Sequence, residues 1–456
     1  MNTRKPNIVM LLIDDLGWKD VGFMGSAYYE TPHMDRLAAD GMTFGSAYAC
    51  PNCAPSRASL MTGLYSPRHG IYTVGSAERG PAHKRQLIPP ANRGILGVEH
   101  ATIAERLKAA GYACGHIGKW HLGEGPATGP EGRGFDLNVG GIHKGQPPAG
   151  YFSPYQIATL PDGPENEYLT DRLTNEALRF IDEHAEQPFF LYFAHYAVHK
   201  PLQAKPEIIA KYERKEASQG QDNPVYAAMI ESTDDSVGRI VGKLDQLGLT
   251  EDTIVLLVSD NGGLGGYRAE GLGAHDVTSQ LPLRGGKGML YEGGIRVPMA
   301  VKWPQRVEPG TTCDTPVMVI DFLPTILEAA GAACDPAAPV DGESLLPLLA
   351  QTGGLTRDTL FWHFPVYLED GAGNWRTTPG AALRHGEWKL IEWFETGCLE
   401  LYRLTDDIGE RHNLAGELPD LARELHERMQ RWREAVHAPV PTERNPAYAP
   451  ESADSI

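Results

Sequence analysis

The sequence predicts an α/β fold: a large, mostly parallel mixed sheet flanked by helices, followed by a smaller C-terminal antiparallel sheet plus helix. Three observations predict it. Residues 7–13, Asn-Ile-Val-Met-Leu-Leu-Ile, form a continuous apolar run, the pattern of a strand buried on both faces. Residues 225–247 repeat apolar side chains at helical spacing and lead through Gly248 into a second apolar strand, 253–258. Such helix–strand alternation builds a parallel sheet. After about residue 350 the pattern changes to short strand-like pieces separated by turns.

Taken in order, residues 102–110 read as a helix, with Thr102 at its start and Gly111 just past its end. A strand-like stretch, 112–117, follows. Residues 170–185 give a helix with Leu173, Ala177, Phe180 and Ile181 on one face, and 189–193 a further buried strand. The C-terminal pieces 359–364, 381–384, 388–394 and 399–404 suggest the antiparallel sheet, and 418–436 an amphipathic helix. The Pro- and Glu-rich stretch from Ala438 reads as a surface-hugging or loose tail. The expected division is 1–355 for a catalytic unit and 356–456 for the C-terminal unit. Gly- and Pro-rich stretches at 123–165 and 262–288 read as long loops, which in compact domains usually carry function.

Composition narrows the function. The 456 residues are 41% hydrophobic and 22% charged, which excludes whole-chain disorder. Lys plus Arg is 41 against 59 Asp plus Glu, a formal charge of −18. That balance argues against nucleic-acid partners and against docking on anionic membranes. No apolar run near the start approaches the ~20 residues needed to span a bilayer. The run 8–13 ends in Asp14–Asp15 with no cleavage site, so it reads as a strand and not as a signal peptide. The expected compartment is the cytoplasm, or the periplasm if an export signal has been removed. Six cysteines do not make a disulfide framework in a chain of this length. Cys50 and Cys53 form one Cys-x-x-Cys without a second pair to complete a zinc site.

The chemistry sits where the strands end. In parallel α/β sheets ligands bind beyond the carboxyl ends of the strands, and Asp14–Asp15 and Asp260–Asn261 both follow apolar strands. Together they supply hard oxygen donors suited to Ca²⁺ or Mg²⁺. The segment from Cys53 reads Cys-Ala-Pro-Ser-Arg57-Ala-Ser-Leu-Met-Thr-Gly63. Written as Cys-x-Pro-Ser-Arg-x-x-Leu-x-Thr-Gly, it resembles the signature of the formylglycine-dependent sulfatases of the alkaline phosphatase superfamily, and the overall look is similar to bacterial carbohydrate and aryl sulfatases. Further motifs follow in the family's order: Gly118-Lys119-Trp120-His121-Leu122-Gly123, His199 in Val-His-Lys-Pro, Ser259-Asp260-Asn261-Gly262, and Lys287 in Leu-Arg-Gly-Gly-Lys-Gly. Singly, each of these side chains has an ordinary explanation as a solvated charge or a buried imidazole. Five motifs in one order do not.

The resemblance implies an alkaline-phosphatase-like sheet and hydrolysis of sulfate monoesters. It implies Cys53 oxidised to Cα-formylglycine by a formylglycine-generating or maturase system. It also implies Ca²⁺ in preference to Mg²⁺, held by Asp14, Asp15, Asp260 and Asn261 and touching residue 53. Lys119, Lys287 and His199 would hold the sulfate oxygens, and Arg57 and His121 the hydrated aldehyde. One hydroxyl of the hydrate attacks sulfur, His199 or Lys287 protonates the leaving oxygen, and His121 deprotonates the second hydroxyl to release sulfate. For the rest of the substrate, expected to be a small or terminal sulfated sugar, His275, His143, Lys144, Arg68–His69 and Trp375–Arg376 are candidates, with Trp375, Tyr151 and Tyr155 as possible aromatic platforms. The alternative on the same scaffold is a phosphonate monoester or phosphodiester hydrolase.

Overall fold

The computed structural model describes residues 5–273, 276–333 and 339–449. Its centre is an eight-stranded mixed sheet. In chain order the strands are β1 (Asn7–Ile13), β2 (Met42–Phe44), β3 (Ala113–Gly118), β4 (Leu137–Val139), β5 (Phe189–Ala194), β6 (Thr253–Ser259), β7 (Met299–Lys302) and β8 (Thr311–Cys313). They lie side by side as β8-β2-β7-β6-β1-β5-β3-β4. The five strands from β6 to β4 run parallel, and β7 is antiparallel to both its neighbours.

The central strand β1 explains the apolar run at its start. All seven of its residues have 0% exposure, because β5 and β6 flank it and helices cover both faces. Full burial of each Ile, Val, Leu or Met side chain stabilises by about 1.5–3 kcal/mol. The helices include α1 (Cys53–Thr62), α2 (Leu169–Glu183) and α3 (Pro224–Gln246). The helix Ile103–Ala109 begins as its sequence predicts: the Thr102 hydroxyl accepts from the Glu105 N–H, and the Glu105 carboxylate accepts from the Thr102 N–H.

Helix α1 was not anticipated from periodicity. Every one of its residues is buried, Arg57 among them, so no polar face marks it. The short strands β2, β4, β7 and β8 also escape a reading based on apolar runs.

The C-terminal part forms a four-stranded antiparallel sheet of Thr359–Phe364, Gly380–His385, Trp388–Trp393 and Cys398–Arg403. The helix Pro419–Ala435 packs on it through Ala422, Leu425 and Met429. Trp432 from this helix stacks on Phe361 with ring centroids 4.6 Å apart. Within the described residues the tail hugs the surface: Ile88 N–H donates to the Glu443 carbonyl and Asn445 N–H to that of Gln86. An additional hairpin pairs Leu368–Glu369 with Trp375–Thr377 and meets the loop that follows β6. Asp370 at its turn accepts from the Gly273 N–H at 2.9 Å.

Candidate active site

Strand register assembles the acids. β1 and β6 run in parallel with Ile13 beside Ser259, so Asp14–Asp15 and Asp260–Asn261 leave the sheet at one carboxyl edge. The Asp15 N–H donates to Asp260 Oδ1 at 3.2 Å, and Asn261 Nδ2 donates to Asp15 Oδ1 at 2.9 Å. All four side chains are completely buried. Asp15 has φ 62°, a left-handed backbone that costs a non-glycine residue about 1–3 kcal/mol and that clusters at functional sites.

Cys53 is the first residue of α1, after Asn52 in extended conformation. Its Sγ lies 3.4 Å from His121 Nδ1. One turn along the same helix face, Arg57 donates from Nε to Asp260 Oδ2 at 2.9 Å and from a terminal nitrogen to the Lys119 carbonyl at 2.8 Å. Strand β3 ends at Gly118, φ 95°, where a Cβ would sit 1.9 Å from the Ala194 carbonyl oxygen. Only glycine allows that approach. It turns the chain so that Lys119 Nζ meets Asp14 Oδ2 at 2.5 Å while Trp120 packs into the core.

The remaining side chains arrive on loops. After β5, Val198 N–H donates to the Asp14 carbonyl and His199 Nε2 stands 3.7 Å from Asp15 Oδ2. The His199 Nδ1 lies 2.7 Å from the Lys200 carbonyl, an acceptor, so the ring proton sits on Nδ1 and Nε2 faces the site. Tyr151 holds this loop by donating to the carbonyls of Tyr196 and His199 at 2.7 and 2.8 Å. Lys287 Nζ is 2.5 Å from Asp15 Oδ1, and its glycine-rich loop is tied to Pro51, just ahead of Cys53, by the Gly288 N–H.

Burial and charge act against each other here. Burial pushes the Cys53 thiol and the Asp14 carboxyl up, and takes Asp260 to about 6. Burial also opposes ionisation of Asp15, but Lys287, His199 and Lys119 outweigh it and hold Asp15 well below the usual carboxylate range. Burial works against the charge on Lys287 in turn, and Asp15, Cys53 and Asp14 hold it above the ordinary lysine value. Burial, with the cations around it, keeps His121 neutral, and burial lowers His199 to about 3.

Asp14 Oδ1, Asp15 Oδ2 and Asn261 Oδ1 are buried without a hydrogen-bond partner. Each such orphan costs about 1–3 kcal/mol. Ligand atoms of Asp14, Cys53 and Asp260 lie within 4.8 Å of one another. Convergent, unsatisfied hard oxygens fit a divalent cation, and one bound there would relieve the cost.

A cavity of about 590 Å³ opens onto Cys53, His121, His199 and Lys287. The structure sorts the other expected residues. Lys144 lines the cavity. His143 stands behind His121, ring centroids 6.4 Å apart. His275 lies outside the described residues. Arg68 is not at the cavity: its guanidinium pairs with Asp341 at 2.8 Å, which also anchors the Tyr65 N–H, so its role is structural. His69 is buried against Ser59 Oγ at 3.0 Å. Trp375 packs against Tyr367 at 5.0 Å and does not line the cavity. Tyr151 and Tyr155 are fully buried with their hydroxyls committed to the protein, so neither is a platform. Sequence reading missed Arg79, Gln146 and Lys200, which line the cavity with Arg376. Their only signal was a position in long loops near the motifs.

Comparison with known proteins agrees with this geometry. Residues 6–332 match the Sulfatase family model, and residues 286–435 match the model for the C-terminal part of N-sulphoglucosamine sulphohydrolase. A protein described as "Sulfatase" from Formosa agariphila is 32% identical, over 96% of this chain and 90% of its own length. The N-acetylgalactosamine-6-sulfatase of Sus scrofa is 34% identical, over 90% of this chain and 76% of its own length. A solved structure of Ps i-CgsB, in complex with k-i-k-neocarrahexaose, superposes with a TM-score of 0.76 at 30% identity, covering 94% of this chain and 93% of that one. A phosphonate monoester hydrolase of Agrobacterium radiobacter shares the fold at 20% identity and a TM-score of 0.69.

Proposed function

The chain belongs to the sulfatase family and is a sulfatase; from that premise we propose that it hydrolyses the sulfate monoester of a small or terminal sulfated sugar, with Cys53 converted to formylglycine and Ca²⁺ held by Asp14, Asp15, Asp260 and Asn261. The observation that carries this reading is the set of buried, unpartnered oxygens on Asp14, Asp15 and Asn261 at the strand ends where Asp14 and Asp260 gather with Cys53. When bound, the cation supplies Lewis acidity toward the sulfate oxygens.

The chain's own residues supply the rest. Asp14, Asp15 and Asp260 stand against Arg57, Lys119 and Lys287, so the fixed charges cancel. A divalent ion then makes the site positive, as an anionic ester needs. Lys119, Lys287 and His199 converge on the acid pair and would bind the sulfate oxygens. Arg57 and His121 flank residue 53 and would orient its oxidised side chain. Lys287, at the cavity wall, carries its protons and is placed to deliver one to the leaving oxygen, and His199 would do so only as the imidazolium, with a proton on Nε2 as well as on Nδ1.

The sugar assignment draws support from the relatives named for amino-sugar sulfate and from the neighbour solved with a carrageenan oligosaccharide. The cavity suits one or two sugar units, and a chain with a formal charge of −18 repels a long polyanion while a local pocket keeps its own field. The phosphonate reading has only a likeness of fold behind it.

Mass spectrometry of the Cys53 peptide, after co-expression with a formylglycine-generating or maturase system, is the direct test. An aldehyde in place of the thiol is expected, and an unmodified thiol in fully active protein would refute the mechanism. Turnover should be higher on short sulfated oligosaccharides than on long, densely sulfated chains or phosphonate esters. Lys119→Ala and His199→Ala should each cost at least about a hundredfold in kcat/KM.

A further inference from the structure

The outer wall of the cavity carries cations that the sulfate-binding residues do not use. Arg79, Lys144, Lys200 and Arg376 all line it, and Asp15 is its one acidic lining residue among the described residues. Asp15 is already engaged by Lys287 and Asn261. Arg79 and Arg376 have no carboxylate partner among the described residues. The Nε of Arg376 is buried and makes no hydrogen bond.

These two arginines are held in place. The guanidinium of Arg376 lies 4.5 Å from the ring centroid of Tyr267, and the Tyr267 hydroxyl donates to the Lys287 carbonyl at 2.9 Å. Arg376 is thus coupled to the loop that presents Lys287. Arg79 donates to the Val74 carbonyl, and its loop is fixed by Arg85, which donates to the Gly80 carbonyl at 2.7 Å and pairs with Glu78 at 3.2 Å. Burial lowers Arg79 from its ordinary value, and Arg376 nearby lowers it further. Two guanidiniums from distant parts of the chain therefore face one cavity with no acid partner among the described residues, an arrangement that an oxyanion would relieve.

We propose that Arg79 and Arg376 bind a second oxyanion on the substrate, a carboxylate or a further sulfate, so that the favoured substrate is a sulfate ester of a sugar that is charged elsewhere as well. This rests on the sulfatase reading above and names its substrate class. It places selectivity on a residue of the C-terminal hairpin and one of the loop near residue 79, which together complete a cavity built mainly by the large sheet.

The test compares kcat/KM of the metal-loaded, Cys53-converted enzyme on three disaccharides: one monosulfated and otherwise neutral, one disulfated, and one sulfated and bearing a uronate. A preference of about tenfold or more for one dianionic sugar is expected, and the favoured one identifies the second anion. Arg79→Gln and Arg376→Gln should each cut that preference roughly tenfold to a hundredfold, mainly through KM. Arg376→Lys should restore part of it, since the charge is kept and the fork is lost. A wild type without preference, or an unchanged preference in both variants, would overturn the proposal. Calorimetric titration of the three sugars into a Cys53→Ala protein decides separately. Equal affinities there overturn the second-anion site, whereas absent turnover with a retained affinity difference counts against the sulfatase mechanism alone.

Discussion

The protein buries two dense clusters of charge, and they are built differently. At the joint between the large sheet and the C-terminal sheet, Lys389 meets Glu292 at 3.0 Å and Glu410 at 2.7 Å. The second Glu292 oxygen takes the Tyr48 hydroxyl at 2.8 Å and Arg296 at 3.2 Å, and the second Glu410 oxygen takes the Glu292 N–H at 2.6 Å. Three of the four carboxylate oxygens accept hydrogen bonds, and the fourth, Glu410 Oε1, has no hydrogen bond but is met by the Lys389 ammonium in the ion pair. At the strand ends, by contrast, Asp14, Asp15 and Asn261 each keep an oxygen with no partner. Both clusters pay desolvation. The closed one serves the fold, and the open one is completed only by something the chain does not contain.

This contrast predicts separable outcomes. The largest effect belongs to the open cluster. Cys53→Ala should lower kcat by about a thousandfold or more while stability changes by less than about 1 kcal/mol, as measured by turnover and chemical denaturation together. Lys389→Met should do the reverse, costing about 3–5 kcal/mol by leaving two buried glutamates without their cation, with kcat of the folded fraction unaltered. Chelation should abolish turnover and lower Tm, and added Ca²⁺ should restore both; at a hundredfold excess over Kd the ion contributes about 2.7 kcal/mol. Addition of Ca²⁺ at the strand-end acids should leave the stability deficit of Lys389→Met as it is, because that deficit arises at Glu292 and Glu410, away from those acids.

A pH effect sharpens the comparison further. Burial pushes Glu410 up to about 7, although Lys389 opposes this. The folded protein then binds that proton more tightly than the unfolded chain, whose value lies near 4.5. The contribution is fully present below about 4.5 and is lost as pH rises through 7. Glu410→Gln should flatten the fall in stability over that window relative to wild type, read by denaturation from pH 4.5 to 8. The smallest effect is expected for Arg68→Gln, which breaks a partly exposed pair with Asp341 and should cost about 1 kcal/mol or less.

Much of the site was legible in the sequence because its residues sit at ends of apolar strands. A run such as 7–13 that stops at two aspartates announces both a buried strand and the edge where it emerges. The Cys53–Gly63 signature and the Lys119, His199, Asp260 and Lys287 motifs carried the family, and the structure brings all of them around one cavity. The substrate side was legible only in part. Lys144 and Arg376 line the cavity, whereas Arg68, Trp375, Tyr151 and Tyr155 do not. An exposed charge or an aromatic ring looks the same in sequence whether it faces a cavity or a neighbour such as Asp341.

By itself, the sequence determined the parallel sheet, the acid pairs at its carboxyl edge and the family signature, since these follow from local periodicity and short motifs. Only the tertiary structure decided that Asp14 and Asp260 share one register, that Lys119 and Lys287 each take one of the acids, and that Arg79 and Arg376 both line the cavity. Strand order and loop return set those distances, and both depend on how the whole chain buries its apolar surface. The formal charge of −18 is a sum over the whole chain; which cations face the cavity is a matter of packing.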